Sequence, residues 1–200
     1  MILKVGLTGG IGSGKTLVAK EFTKLWGIPV YNADESAKNL ISVNQELQKD
    51  IKECFGESIF DDYKLNRKKL ADIVFTDKLL LNKLNMLVHP FVRKDFKKWA
   101  DNNKQFHYVI EEAAILFETG IYKDFDKIIT VIAPEELRIE RVCRRDNRDE
   151  EFVRSIIANQ TNDDTRIRLS DYIIINNGMI PLDKQINKIH NSLVAITNNG

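Results

Sequence analysis

The chain has 200 residues, enough for one compact domain that buries about 70% of its unfolded surface and needs no disulfide or metal to fold. Hydrophobic residues make up 43% and charged residues 30%, which excludes a wholly disordered chain. Lys plus Arg number 30 against 29 for Asp plus Glu, a net charge of +1, which excludes a nucleic-acid or membrane binder driven by bulk charge but leaves local basic patches open. Two cysteines, Cys54 and Cys143, make neither a disulfide framework nor a zinc cluster. The first apolar stretch is soon broken by glycines, so it does not read as a signal peptide. No run approaches the ~18 apolar residues of a membrane span. A soluble, cytoplasmic protein is expected.

In chain order, Ile2 to Leu7 reads as a buried parallel strand, followed at once by glycines. Lys15 to Trp26 places Leu17, Val18, Phe22 and Leu25 at helical spacing, and Gly27 ends that helix. Pro29-Val30-Tyr31 is a second short strand. From Glu35 to about Asn103 the pattern is helical without a convincing strand, as expected of a helical insert. Tyr108 to Ile110 and Lys127 to Ile132 are strands again, and Pro134 opens a helix. Tyr172 to Ile175 is a last strand, Asn176-Asn177-Gly178 its turn, and Ile180 to about Ile196 a closing amphipathic helix. Strands alternating with helices imply an α/β fold with a mostly parallel sheet.

Gly9-Gly10-Ile11-Gly12-Ser13-Gly14-Lys15-Thr16 matches G-x-x-x-x-G-K-[ST] without a gap. A polyphosphate is held by backbone N–H groups, and glycines let the backbone wrap closely around it. The following helix aims its N-terminus at the anion. Gly10, Ile11, Gly12, Ser13, Gly14, Lys15, Thr16 and Leu17 are therefore the expected ATP contacts. Lys15 reaches the β- and γ-phosphates, and the Thr16 hydroxyl is the expected Mg²⁺ ligand. A chance glycine loop is the alternative, but the strand before it and the helix after it favour a phosphate cradle. A guanine-nucleotide switch is disfavoured: Asn82-Lys83-Leu84-Asn85 lacks the aspartate of N-K-x-D, and no D-x-x-G occurs. A dense run of Arg138, Arg141, Arg144, Arg145 and Arg148 suggests a small-molecule kinase whose arginines close over the phosphates. A solvated face paired with Glu135, Glu136 and Glu140 is the plainer reading of the same run.

The chain resembles the dephospho-coenzyme A kinase family nearly end to end. Leu7 to Lys15 is similar to the family's opening, and Val30-Tyr31-Asn32-Ala33-Asp34 to its V-x-D-A-D, with Ala37-Lys38 where Ala-Arg is usual. Leu65-Asn66-Arg67, Leu70-Ala71 and Val74-Phe75 resemble its helical insert; Leu84, His89 and Pro90 resemble L-x-x-x-x-H-P. Ile115-Leu116-Phe117-Glu118 is similar to L-L-F-E, Arg141 and Arg145 to R-x-x-x-R, Gln160 to a late glutamine, and Asp171 with Asn176-Asn177-Gly178 to the ending. The resemblance implies a three-layer α/β/α P-loop NTPase fold. Its parts are a core (1–34, 104–140 and 167–200), a helical acceptor-binding insert (35–103) and an arginine-rich lid (141–166). The implied reaction moves the γ-phosphoryl of MgATP to the 3′-hydroxyl of the ribose of dephospho-CoA. The same-fold alternative is a nucleoside or nucleotide kinase, and the non-enzymatic one a nucleotide-binding switch. A monomer or weak homo-oligomer is expected.

By the same resemblance Asp34 is the general base or orienter, although an N-cap role for it is as simple. Arg141 and Arg145 contact phosphate, and His89 and Glu112 bind substrate, while Asn176 lies near the adenine. His89 before Pro90 also reads as a helix boundary. Glu111 and Glu112 end a strand, where a carboxylate suits a Mg²⁺-bound water. Three positions depart from the pattern: Asn32 for the first aspartate of D-A-D, Ala113-Ala114-Ile115 for x-Pro-Leu, and Lys38 for arginine.

Overall fold

The computed structural model describes residues 2–61, 64–74 and 77–198. Phe75, part of the resemblance to the helical insert, lies outside them. The chain divides into two compact units, one of Met1–Asn32 with Ala100–Gly200 and one of Ala33–Trp99.

The first unit is built on a five-stranded sheet of order β2-β5-β1-β6-β7. Its strands are β1 (Leu3–Thr8), β2 (Val30–Asn32), β5 (Tyr108–Glu112), β6 (Lys127–Ile132) and β7 (Tyr172–Ile175). All four neighbouring pairs are parallel. Parallel strands need crossovers that cover both faces of the sheet, which explains the near-continuous apolar runs of β1 and β6. Val5, Leu7, Ile110, Ile129 and Ile174 form one core with Phe22 of α1 (Lys15–Trp26) and Ile186 of α9 (Leu182–Asn198). The unit also holds α6 (Glu135–Asp146), α7 (Glu150–Ala158) and α8 (Asp163–Leu169). Residues 141–166, expected as a lid, form no unit of their own and fall inside this one. Ile139, Val142 and Val153 make a small apolar cluster between α6 and α7.

The register brings the functional ends together. Leu7 pairs with Glu112 and Val30 with Ile110, so β1, β2 and β5 finish at one edge of the sheet. Ligands of open α/β sheets bind at that carboxyl edge, because the loops leaving the strands there turn away from one another.

The second unit carries α2 (Ala33–Val43), α3 (Gln45–Phe55), α4 (Arg67–Val74) and most of α5 (Lys78–Asp101). It corrects two expectations. The insert is not wholly helical: β3 (Phe60–Asp61) and β4 (Lys64–Leu65) pair antiparallel. Two-residue strands are too short to show a period of two. Asn66 and Lys69 both donate to the Asp61 carboxylate beside this ribbon. The second correction is at His89-Pro90, where α5 runs on instead of ending. Pro90 removes one i→i−4 bond and frees the Met86 carbonyl. Met86 is exposed, so water can take that bond.

Candidate active site

The loop between β1 and α1 makes an anion cradle only if its N–H groups point inward. Its carbonyls must then point outward and find other donors. Every carbonyl from Gly9 to Gly14 has one. The Gly9 and Gly10 oxygens accept from Lys15 Nζ at 3.0 and 3.4 Å. The Gly10 oxygen also accepts from Ser13 N–H at 3.1 Å, and the Gly14 oxygen from Val18 N–H at 3.1 Å. Arg138 Nε donates to the Ile11 oxygen at 2.9 Å. Arg141 Nη1 donates to the Gly12 oxygen at 3.4 Å, and Asn176 Nδ2 to the Ser13 oxygen at 2.8 Å.

The glycines answer to these neighbours as much as to a ligand. Gly12 has φ +76°, and a Cβ there would lie 2.4 Å from the Arg138 carbonyl oxygen. Gly14 caps α1 in the left-handed region, and a Cβ on it would meet Asn176 Nδ2 at 2.1 Å. The α1 N-terminus carries no acidic residue in its first turn, whereas α6, α7 and α8 each carry two. Those carboxylates offset the positive helix end, and α1 leaves its own for another anion. Leu17 lies in that first turn and is exposed.

Thr16 Oγ1 donates to Glu112 Oε1 at 2.6 Å, joining the start of α1 to the end of β5. The sequence reading assigns Glu112 to substrate binding and, with Glu111, makes it a carboxylate suited to a Mg²⁺-bound water; the structure sets it against the hydroxyl expected to hold Mg²⁺. Among the described residues no group of three or more His, Cys, Asp or Glu could hold a metal ion. Mg²⁺ fits the donors present nonetheless, because it binds through one or two protein oxygens together with substrate phosphates and water. The buried side-chain atoms without a hydrogen-bond partner, among the described residues, are Thr8 Oγ1, Ser13 Oγ, Arg138 Nη2 and Arg166 Nε. Two belong to the β1–α1 segment and two to the arginines behind it, a concentration of unmet polar groups that marks a functional site.

The arginine run separates by role. Arg138 is buried, and burial lowers its pKa against the opposing Asp163 charge. Arg141 Nη2 also donates to the Asn176 carbonyl at 3.2 Å. Arg145 is exposed and makes a two-pronged pair with its neighbour Asp146, Nε and Nη2 each at 2.7 Å. Arg148 lies over the Phe152 ring at 4.9 Å. Asn176, expected beside the adenine, is buried and gives one amide N–H to the Ser13 carbonyl of the loop. Asp34 lies in the first turn of α2, exposed, two residues after β2 ends. It is inside the helix, not its N-cap. His89 is half-buried in α5; burial first and the Arg93 charge second pull its pKa below the ordinary histidine value. Both belong to the second unit.

Gln160, Asp163, Arg166 and Glu118 received no role from the sequence, yet they brace the loop or its arginines. Their partners lie up to 149 positions away, so no local spacing exposes them. No helix among the described residues is long and apolar enough to cross a membrane.

A family model described as Dephospho-CoA kinase matches residues 3–181. The chain belongs to the dephospho-CoA kinase family. It is 36% identical over 186 residues to the Dephospho-CoA kinase of Bacteroides fragilis (strain YCH46), which covers 93% of this chain and 90% of that one. The crystal structure of TT1252 from Thermus thermophilus matches it with a TM-score of 0.82 at 28% identity, covering 96% of this chain and 97% of the other. The Dephospho-CoA kinase from Campylobacter jejuni matches with a TM-score of 0.71 at 24% identity and covers 98% of each chain. Membership makes this chain a P-loop kinase and a transferase, as its glycine loop and strand order indicate.

Proposed function

We propose that this kinase transfers the γ-phosphoryl group of ATP to the 3′-hydroxyl of the ribose of dephospho-CoA, giving coenzyme A and ADP. The observation that carries the reading is the glycine loop, whose carbonyls from Gly9 to Gly14 each accept a hydrogen bond within a chain of this family.

Phosphoryl transfer asks for little covalent chemistry and much positioning and charge stabilisation. The Gly12 and Gly14 N–H groups and the first turn of α1 bind the β-phosphate, while the Ile11 N–H stays on Gln160 and the Ser13 N–H on the Gly10 carbonyl. Lys15 exchanges the carbonyls of Gly9 and Gly10 for β- and γ-phosphate oxygens. The Thr16 hydroxyl would hold Mg²⁺, with the Glu112 carboxylate beside it placed to orient a metal-bound water. The chemistry such an ion would supply is neutralisation of phosphate charge. Asp34 accepts the proton of the 3′-hydroxyl as its oxygen attacks phosphorus in line, and ADP leaves. Arg141 and Arg145, within the 141–166 segment, balance charge on the moving group. The insert presents His89 to the acceptor as a neutral hydrogen-bonding group. Asn176 serves the ATP site through the loop it holds. The expected setting is the cytoplasm, with the chain acting as a monomer or weak homo-oligomer.

One assay tests the reading. Purified protein with MgATP is offered dephospho-CoA, then a panel of nucleosides and nucleotides, while ADP is measured. Release stimulated by dephospho-CoA is expected. Stimulation by nucleosides alone would overturn the acceptor assignment. Nucleotide binding without stimulation by any acceptor would make the chain a switch.

A further inference from the structure

The Ile11 peptide units are gripped from both sides. The Ile11 N–H donates to Gln160 Oε1 at 2.9 Å, and the Ile11 carbonyl accepts from Arg138 Nε at 2.9 Å. Arg138 is 4% exposed, and its Nη1 reaches Asp163 Oδ2 at 3.3 Å. The other Asp163 oxygen takes Arg166 Nη1 at 2.9 Å. Arg166, 1% exposed, also reaches Glu118 Oε1 at 3.4 Å. That same Glu118 oxygen accepts the Thr161 N–H at 2.8 Å. Two cations and two carboxylates thus form a charge-balanced chain from the segment after β5, through α8, to the glycine loop.

A buried ion pair is poor evidence of stabilisation, because desolvation offsets much of the attraction. This one is also incompletely satisfied, since Arg138 Nη2 and Arg166 Nε have no partner. Its geometry has a definite consequence. A peptide is planar and trans, so the Ile11 C=O and the Gly12 N–H point in opposite directions. Drawing the Ile11 oxygen onto Arg138 sets where the Gly12 N–H points.

We infer that Arg138 is a positioning residue for nucleotide binding: anchored by Asp163, it holds the Ile11 carbonyl outward and so aims the Gly12 N–H into the phosphate cradle. The inference rests on the proposed kinase reading for its turnover readouts, while nucleotide affinity tests it without any acceptor.

Gly10 supplies an independent handle. Its φ is not positive, so alanine is tolerated by the backbone, but a Cβ there would lie 2.2 Å from Arg138 Nη2. Gly10→Ala therefore displaces the guanidinium without altering its chemistry.

The experiment measures affinity for a non-hydrolysable ATP analogue with Mg²⁺, together with KM for ATP and for dephospho-CoA and the melting temperature. Arg138→Gln is expected to weaken nucleotide affinity about tenfold, the scale of one charge-assisted hydrogen bond. KM for ATP should rise in step while KM for dephospho-CoA stays unchanged. Arg138→Lys keeps the charge facing Asp163 but cannot span both acceptors, so it should restore the melting temperature and not the affinity. Gly10→Ala should weaken binding similarly, and the Gly10→Ala, Arg138→Gln double variant should be no weaker than either alone. Native nucleotide affinity in folded Arg138→Gln would overturn the inference. So would full recovery by lysine, or additive losses in the double variant. Should Arg138→Gln fail to fold, Asp163→Asn is read instead: a several-fold loss is expected and unchanged affinity overturns. Absence of turnover with dephospho-CoA in the unsubstituted protein would sink the proposed reaction and leave the affinity comparison standing.

Discussion

At the scale of single residues, Asp34, the proposed proton acceptor, is separable from the groups proposed to bind phosphate. Asp34 is exposed at the start of α2 and lies in a different compact unit from the glycine loop. Asp34→Asn keeps the size of the side chain and removes its basicity. Nucleotide affinity should stay within twofold while kcat falls roughly 10²- to 10⁴-fold, the usual contribution of a positioned general base. ADP release with saturating dephospho-CoA, beside direct nucleotide titration, measures both. Unchanged kcat would remove Asp34 from the chemistry. The other residue roles divide on what each side chain touches. Arg141 holds the carbonyls of Gly12 and Asn176, whereas Arg145, with a side chain 65% exposed beside Asp146, has nothing of the loop to hold.

At the scale of elements, the strand–loop–helix of residues 3–26 is a unit whose loop is shaped from outside. Gly12→Ala puts a Cβ 2.4 Å from a backbone oxygen of α6 and forces alanine to φ +76°. The left-handed conformation alone costs about 1–2 kcal/mol, and the clash with backbone cannot be relieved by a rotamer change. A loss near 2 kcal/mol would lower the melting temperature by roughly 4–8 °C for a chain of this size. A thermal melt checks it, and a melt within 1 °C of the parent would mean α6 yields. The same element shows how far a motif can be read. G-x-x-x-x-G-K-[ST] is local, and the helix and strand beside it follow from apolar spacing. Arg138, 127 residues from the Ile11 oxygen it holds, belongs to the same loop in space but lies on a helix whose sequence reads as a solvated charged face. Pro90 misled in the opposite direction, since a helix of 24 residues makes enough other bonds to carry one break.

At the scale of the whole molecule, stability should depend on pH through a histidine far from the loop in sequence. His190 on α9 stacks on Trp26 with ring centroids 4.2 Å apart, and its Nδ1 bonds the Tyr108 hydroxyl at 2.8 Å. Burial first and the His107 charge second push its pKa below the ordinary histidine value, and burial raises that of Tyr108. A depressed histidine pKa means the unfolded chain binds more protons than the folded one as pH falls through about 6.5. Stability is then full above that pH and declines below it. His190→Phe keeps a ring against Trp26 and removes the titrating group. The drop in melting temperature from pH 7.5 to 5.5 should be smaller in the variant than in the parent. An equal drop would show that His190 contributes nothing to it.

The sequence by itself determined the parts whose physical signal is local. These are the strands of β1 and β6, the helix ended by Gly27, the phosphate loop with Lys15 and Thr16, and the acid after β2. Each depends on residue type at short spacing, where glycine freedom, helix polarity and apolar periodicity act directly. Tertiary structure decided which side chains satisfy the loop carbonyls. It also placed Glu112 against Thr16, committed Asn176 to Ser13, and joined Arg138, Asp163, Arg166 and Glu118 into one buried chain. Those pairings depend on parallel strand register and on α6 packing so close to the loop that a Cβ at Gly10 or Gly12 would clash with Arg138. Nothing along one stretch of chain encodes them, because the donor and the acceptor are contributed by elements that meet only once the sheet has formed.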